Sequence, residues 1–171
     1  MIIRTLLLAL IVASGACNSE PTWLLEQLDS TNPAVRQDAV VSAGGVDHIL
    51  ITAKLETMLA DSDISTRIAV VDALALHHSL TSVEPLIGML QDQSPVVVSK
   101  VIDTLGQLKD PAAVPALTKI LQAEPGSPPL NAIWAIGQLG DQTIVPLLSK
   151  LRDHPDRWVR HGATQALRNL N

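Results

Sequence analysis

The sequence contains no phenylalanine, no tyrosine and only three tryptophans, yet 47% of its residues are hydrophobic. Any core must therefore be filled by Leu, Ile, Val and Ala, and such small aliphatic side chains suit thin helix-on-helix layers. The single cysteine, Cys17, excludes an intramolecular disulfide framework and any multi-cysteine metal site within the chain. Alternating runs of β-branched residues, the mark of half-buried strands, are missing. Positive charge is scarce: 12 Lys and Arg stand against 17 Asp and Glu, a net −5 that argues against general nucleic-acid affinity. The acidic residues are scattered and form no acidic tail. At 171 residues the chain suits one folded unit better than two complete cores.

Catalytic patterns are missing too. There is no Gly-x-Ser-x-Gly elbow, no phosphate loop and no dinucleotide fingerprint. His77 and His78 are adjacent, so on a helix they diverge by about 100° and do not make the i, i+4 pair of a helical metal site. His48 lies in a turn, and His154 and His161 flank the start of the final helix with no carboxylate at ligand spacing. No catalytic residue, metal site, cofactor or small-molecule substrate is expected, and the chain reads as a binding protein and not an enzyme.

What is present begins at the N-terminus. Arg4 precedes the apolar run Leu6 to Val12, followed by the small residues Ala13, Ser14, Gly15 and Ala16, the layout of a secretory signal. The run is well short of the ~20 residues of a membrane span. Ser14-Gly15-Ala16-Cys17 resembles the lipobox of bacterial lipoproteins, although Ser14 stands where a bulkier aliphatic residue is usual. That resemblance implies cleavage after Ala16 and diacylation of Cys17, with residues 1–16 as signal, 17–21 as tether and 22–171 as the folded domain. It implies a lipid anchor in the cell envelope, on the periplasmic side. Asn18 after the cysteine is compatible with outer-membrane delivery.

The remainder repeats. Leu105-Gly106-Gln107-Leu108-Lys109-Asp110 recurs as Ile136-Gly137-Gln138-Leu139-Gly140-Asp141, displaced by 31 residues. At the same interval Ala39, Val70, Val101, Ala132 and Ala163 form one apolar column, and Ala43, Leu74, Leu105, Ile136 and Leu167 another. Leu28, Leu59, Leu90 and Leu121 form a third, which Leu151 joins one residue early. Within a unit, positions equivalent to Val35, Ala39, Ser42, Ala43 and Val46 make one helical stripe predicted to face inward. Each unit thus reads as a short first helix, often with an early proline, and a longer second helix. Asp110 and Asp141 are expected N-caps. A lone helix pair leaves its apolar face exposed, whereas five stacked pairs share a continuous core.

Asn32-Pro33-Ala34-Val35-Arg36 and Asp156-Arg157-Trp158-Val159-Arg160 resemble the short HEAT-like repeats of the phycobilisome-lyase type, over roughly residues 22 to 170. The resemblance implies an all-α fold, a right-handed α-α superhelix of about five helix pairs. It also implies that Arg36, Arg67 and Arg160, which share a column with Val98 and Pro129, pair with acidic residues of neighbouring repeats. Gly44, Gly106 and Gly137 share a column with Ala75, which predicts close backbone packing or helix termination.

The expected function is a lipid-anchored protein-interaction module, a scaffold or adaptor of the bacterial envelope, whose partners are another protein and, through Cys17, the membrane. The alternatives are a bilin-lyase-like or chromophore-attachment chaperone subunit, the runner-up by family resemblance, and a purely structural subunit of an envelope complex. At 100° per residue Trp134 falls opposite the inward stripe, in the column of Val41, Asp72, Asp103 and Gln165, with Leu130 one turn before it. This face of stacked helix pairs is commonly the binding surface. The predicted protein-binding residues are therefore Leu130 and Trp134, rimmed by Asp72, Asp103, His161 and Gln165, while Trp158 is expected to cover the terminal end of the core.

Overall fold

The computed structural model describes residues 21–78 and 80–170. Among these residues ten α-helices and no strand are found, arranged as five pairs: α1 Thr22–Leu28 with α2 Pro33–Ala43, α3 Ile49–Met58 with α4 Ile64–His77, α5 Val83–Gly88 with α6 Pro95–Leu108, α7 Val114–Ala123 with α8 Leu130–Gln138, and α9 Val145–Leu151 with α10 Arg157–Asn169. The fold is an all-α solenoid. No helix among the described residues is long and apolar enough to cross a membrane.

Local chemistry sets the helix ends. The side chains of Asn32, Asp63 and Asp156 accept hydrogen bonds from first-turn amides of α2, α4 and α10. Asp110 and Asp141 accept from Ala112 and Thr143, so the predicted caps open 3-10 turns that lead into α7 and α9. At the other end, His78, Lys109 and Gly140 all adopt positive φ, and they are 31 residues apart. The left-handed residue that stops the second helix thus recurs with the repeat, although only one of the three is glycine.

Second helices pack side by side, α2 on α4, α4 on α6, α6 on α8 and α8 on α10. The columns read from the sequence form the core: Ala39, Val70, Val101, Ala132 and Ala163 are buried, and so are Leu28, Leu59, Leu90, Leu121 and Leu151. The early Leu151 therefore keeps its place at the cost of one extra residue in the following turn.

The glycine column marks close helix approach. A β-carbon on Gly106 would lie 2.7 Å from the Ala135 Cα, and one on Gly137 would lie 2.7 Å from the Ala166 Cβ. Neither glycine ends its helix. Each unit thus sets a small residue against a small residue of the next, which lets the two backbones approach. Ser42 corrects the inward stripe. Its equivalents Ala73, Thr104, Ala135 and Ala166 are buried against the neighbouring helices, but Ser42 itself is exposed.

Two outcomes follow for stability. Gly106→Ala should destabilise the fold by roughly 1 to 3 kcal/mol, because overpacking against helix backbone outweighs the ~1 kcal/mol propensity gain of alanine. Gly44→Ala meets first the flexible Leu76 Cδ1, at 3.1 Å, and should cost much less. Denaturant melts in which the two variants match would contradict the packing described. Leu105→Ala, at a fully buried position, should cost roughly 2 to 5 kcal/mol.

Candidate functional site

The second-helix face carries most of the exposed apolar surface. Leu130 is 49% exposed and Trp134 44%, one turn apart on α8. The Trp134 ring leans over Gly106, where an added β-carbon would meet its Cζ3 at 2.9 Å. One edge of the indole is thus seated against α6 while the rest faces solvent. Asp72, His161 and Gln165 are exposed and Asp103 is half-buried. Asp72 forms an ion pair with Lys100, so one predicted rim carboxylate is already neutralised within the chain.

Trp158 does not cover the core end. It is 56% exposed, with the Arg157 guanidinium 4.4 Å from its ring centroid. The neighbouring Val159 is the residue that points inward, because one step along a helix turns a side chain by about 100°. A second apolar patch escaped the sequence reading. Leu76, 66% exposed, and Val41, 69% exposed, flank a groove of about 440 Å³ between α2 and α4, floored by Ile68, Ala69 and Gly44. The available signal was Leu76 itself, an apolar residue at a position held by Gly45, Gln107, Gln138 and Asn169 in the other units.

An ion-pair ladder runs along one edge of the stack. Arg36 donates from Nε and Nη2 to the Asp61 carboxylate at 2.6 and 2.8 Å, and from Nη1 to the Ser30 carbonyl at 2.9 Å. Arg67 repeats this one unit later, with the Asp92 carboxylate at 2.8 and 2.9 Å and the Asp61 carbonyl at 2.8 Å. The Arg36 fork and, secondarily, the Asp63 amide hold the Asp61 carboxyl below its ordinary range, and Arg67 with the Ser94 amide does the same for Asp92. Arg160 departs from the pattern: it donates to the carbonyls of His154 and Pro155, in its own turn, and makes no carboxylate pair among the described residues.

No three His, Cys, Asp or Glu side chains among the described residues are grouped to hold a metal. His77 bridges elements instead, with Nδ1 3.0 Å from Thr52 Oγ1 and Nε2 2.9 Å from the Ala43 carbonyl. His48 caps α3 through Nδ1. The expected lipidation residue, Cys17, lies outside the described residues.

Residues 51–129 match the family model described as HEAT repeats, and residues 129–154 match that of the PBS lyase HEAT-like repeat. Residues 51–154 are thus built of HEAT-type repeats. Among solved structures, a chain in the complex of CpcE and CpcF of phycocyanin lyase from Nostoc sp. PCC7120 is similar at 24% identity and a TM-score of 0.75, with 93% of this chain and 68% of that one covered. An engineered protein matches at 21% identity and a TM-score of 0.62, over 86% of this chain and 77% of that one. A designed armadillo repeat protein in complex with the peptide (KR)4 matches at 19% identity and a TM-score of 0.63, over 86% and 80%. At these identities the likeness is one of fold. No curated protein matches the sequence.

The ladder gives the HEAT stack an acid sensitivity of known sign. Because the Asp61 and Asp92 pKa values are lowered in the folded state, their contribution is complete above the unfolded carboxyl value of about 3.9. It is lost as pH falls through the lowered values. Melting temperature should therefore drop steeply on acidification, and Asp61→Asn with Asp92→Asn should flatten that drop while lowering stability at neutral pH. An unchanged acid limb in the double variant would show that the ladder does not contribute.

Proposed function

We propose that this HEAT-repeat chain is a protein-interaction scaffold whose second-helix face, centred on Leu130 and Trp134, holds a partner protein. The observation that carries the reading is the pairing of these two large, half-exposed apolar side chains on one helix turn. Exposed aromatic and aliphatic anchors with a polar surround are the usual centre of a binding interface, tryptophan above all. Asp103, Asp72, His161 and Gln165 supply the surround, and the Val41–Leu76 groove two units away offers a second apolar foothold on the same face. We further propose that residues 1–16 are a signal, that Cys17 carries the lipid, and that residues 17–21 tether a domain starting at residue 22 to a bacterial envelope membrane, from the periplasmic side. A purely structural subunit of an envelope complex would use the same face in a permanent contact.

The likeness to a phycocyanin lyase chain supports a second reading, a subunit or chaperone for chromophore attachment. A tetrapyrrole added to the purified protein would then show a shifted and intensified visible absorption band.

A photoreactive residue at position 130 should cross-link one recurring protein in producing cells, whereas the same residue at Lys119, exposed on first helix α7, should not. For the protein so identified, Trp134→Ala should weaken binding by at least about tenfold with a nearly unchanged melting temperature, as expected of a binding anchor. Equal cross-linking from both positions, or a large loss of stability with unchanged affinity, would overturn the reading. Mass spectrometry of the mature N-terminus tests the anchor, and an intact Met1 or an unacylated Cys17 would refute it.

A further inference from the structure

The ladder ends after two rungs, Arg36–Asp61 and Arg67–Asp92, and neither of the last two junctions carries the pair. At the position of Arg36 and Arg67 the third unit has Val98, and at the position of Asp61 and Asp92 the fourth unit has Ala123. Where the missing pair would lie, the structure has an open cleft of about 490 Å³ between α6, α7 and α8. Its walls are apolar, with Pro95, Val98, Ile102 and Ile120 among them, and its rim includes Asp92 and Glu124. One side is braced by Asn131 Nδ2, which donates to the Ser99 carbonyl and hydroxyl at 3.1 Å.

The chain itself shows what fills this place when it is filled. In each of the two preceding junctions an arginine lays its stem along the unit boundary, gives one N–H to the carbonyl of a turn and forks onto the carboxylate of the next turn. The Asp61 residue serves both neighbours, its carbonyl taking Arg67 and its carboxylate taking Arg36. Asp92 repeats the first half of that arrangement, with its carboxylate on Arg67, and its carbonyl stands where the third arginine would donate. The carboxylate on the far side is supplied by Glu124, one residue beyond Ala123 and one methylene longer than aspartate. Glu124 is exposed and makes no ion pair among the described residues.

We propose that this cleft receives the arginine side chain of a partner protein segment, which completes the ladder from outside. The apolar walls take the methylene stem, since long cationic side chains bury their stems and leave the charged head at a polar rim. Arginine fits better than lysine because its planar fork can meet a carboxylate and a carbonyl together, as both resident arginines do. The cleft adjoins the apolar patch through Pro129, Leu130 and Asn131, so one partner segment can place an arginine in the cleft and an apolar residue on Leu130 and Trp134. The inference therefore rests on the interaction reading and adds the chemistry of the partner.

The test titrates the full chain with a short blocked peptide containing one arginine, alongside versions with lysine or the neutral isostere citrulline, followed by NMR shifts of α6 to α8. The arginine peptide should bind saturably, and the citrulline version at least about tenfold more weakly, the lysine version falling between them. Val98→Arg with Ala123→Asp supplies the missing pair from within and should abolish binding while raising the melting temperature. Should that double variant misfold, Glu124→Gln, a change at an exposed position, should still weaken the peptide severalfold. Equal binding of arginine and citrulline peptides, binding unchanged by both sets of substitutions, or free arginine binding as tightly as the peptide would each overturn the proposal. Loss of peptide binding with the cross-link at position 130 retained would refute only this inference. Peptide binding without the cross-link would refute only the Leu130–Trp134 site.

Discussion

Second helices of adjacent units approach so closely that a single added carbon on Gly106 or Gly137 would overlap the next helix, and the rest of the stack depends on that approach. With small residues at the contact, two α-helices lie near the lower end of the usual 8–10 Å spacing. Leucine, isoleucine and valine can then close the core with no phenylalanine or tyrosine to bridge a wider gap. The aliphatic composition and the glycine column are therefore one constraint seen twice. In the first described unit the equivalent contact residue is Ser42, which is exposed.

The same spacing governs the polar edge. Because successive units are related by a nearly constant step, an arginine on one second helix reaches the turn of the next unit at the same offset each time, Arg36 to Asp61 and Arg67 to Asp92. Each bridge is bidentate and also braces a backbone carbonyl, which places it above an ordinary exposed ion pair in geometric definition. Substituting Val98 and Ala123 for the third pair removes charge and side-chain volume together. The junction stays stacked, through Gly106 on Ala135 and Asn131 on Ser99, but its edge is left open. Where the third pair is missing, an open cleft of about 490 Å³ lies between α6, α7 and α8.

On the outward face of the second helices the arrangement is less regular, as expected for a surface where each unit can vary without disturbing its neighbours. Val41, Leu76, Leu130 and Trp134 are exposed apolar residues on second helices, divided into two patches by the Asp72–Lys100 ion pair. A partner docked there, as proposed, would touch the stack at separated points and not over one continuous apolar surface.

Period, pairing and core were legible in the sequence because they are local and repeated: a residue such as Leu105 is apolar in every unit, and 3.6 residues per turn carries each column to the same side. The caps at Asp110 and Asp141 were legible for the same reason, as was the outward column of Trp134. What depended on the neighbouring unit was not. The charge at Arg160 matches that at Arg36 and Arg67 and it keeps their bond to the carbonyl six residues back, yet it has no carboxylate pair among the described residues. Val159 stands in the inward column of Val35, so its burial was legible, whereas the exposure of Trp158 beside it was not. The sequence by itself determined the helix pairs and the faces they bury, through short-range periodicity. The tertiary structure alone decided which side chains find partners across a junction, because that turns on distances between chain segments about 25 to 30 residues apart, which no local pattern encodes.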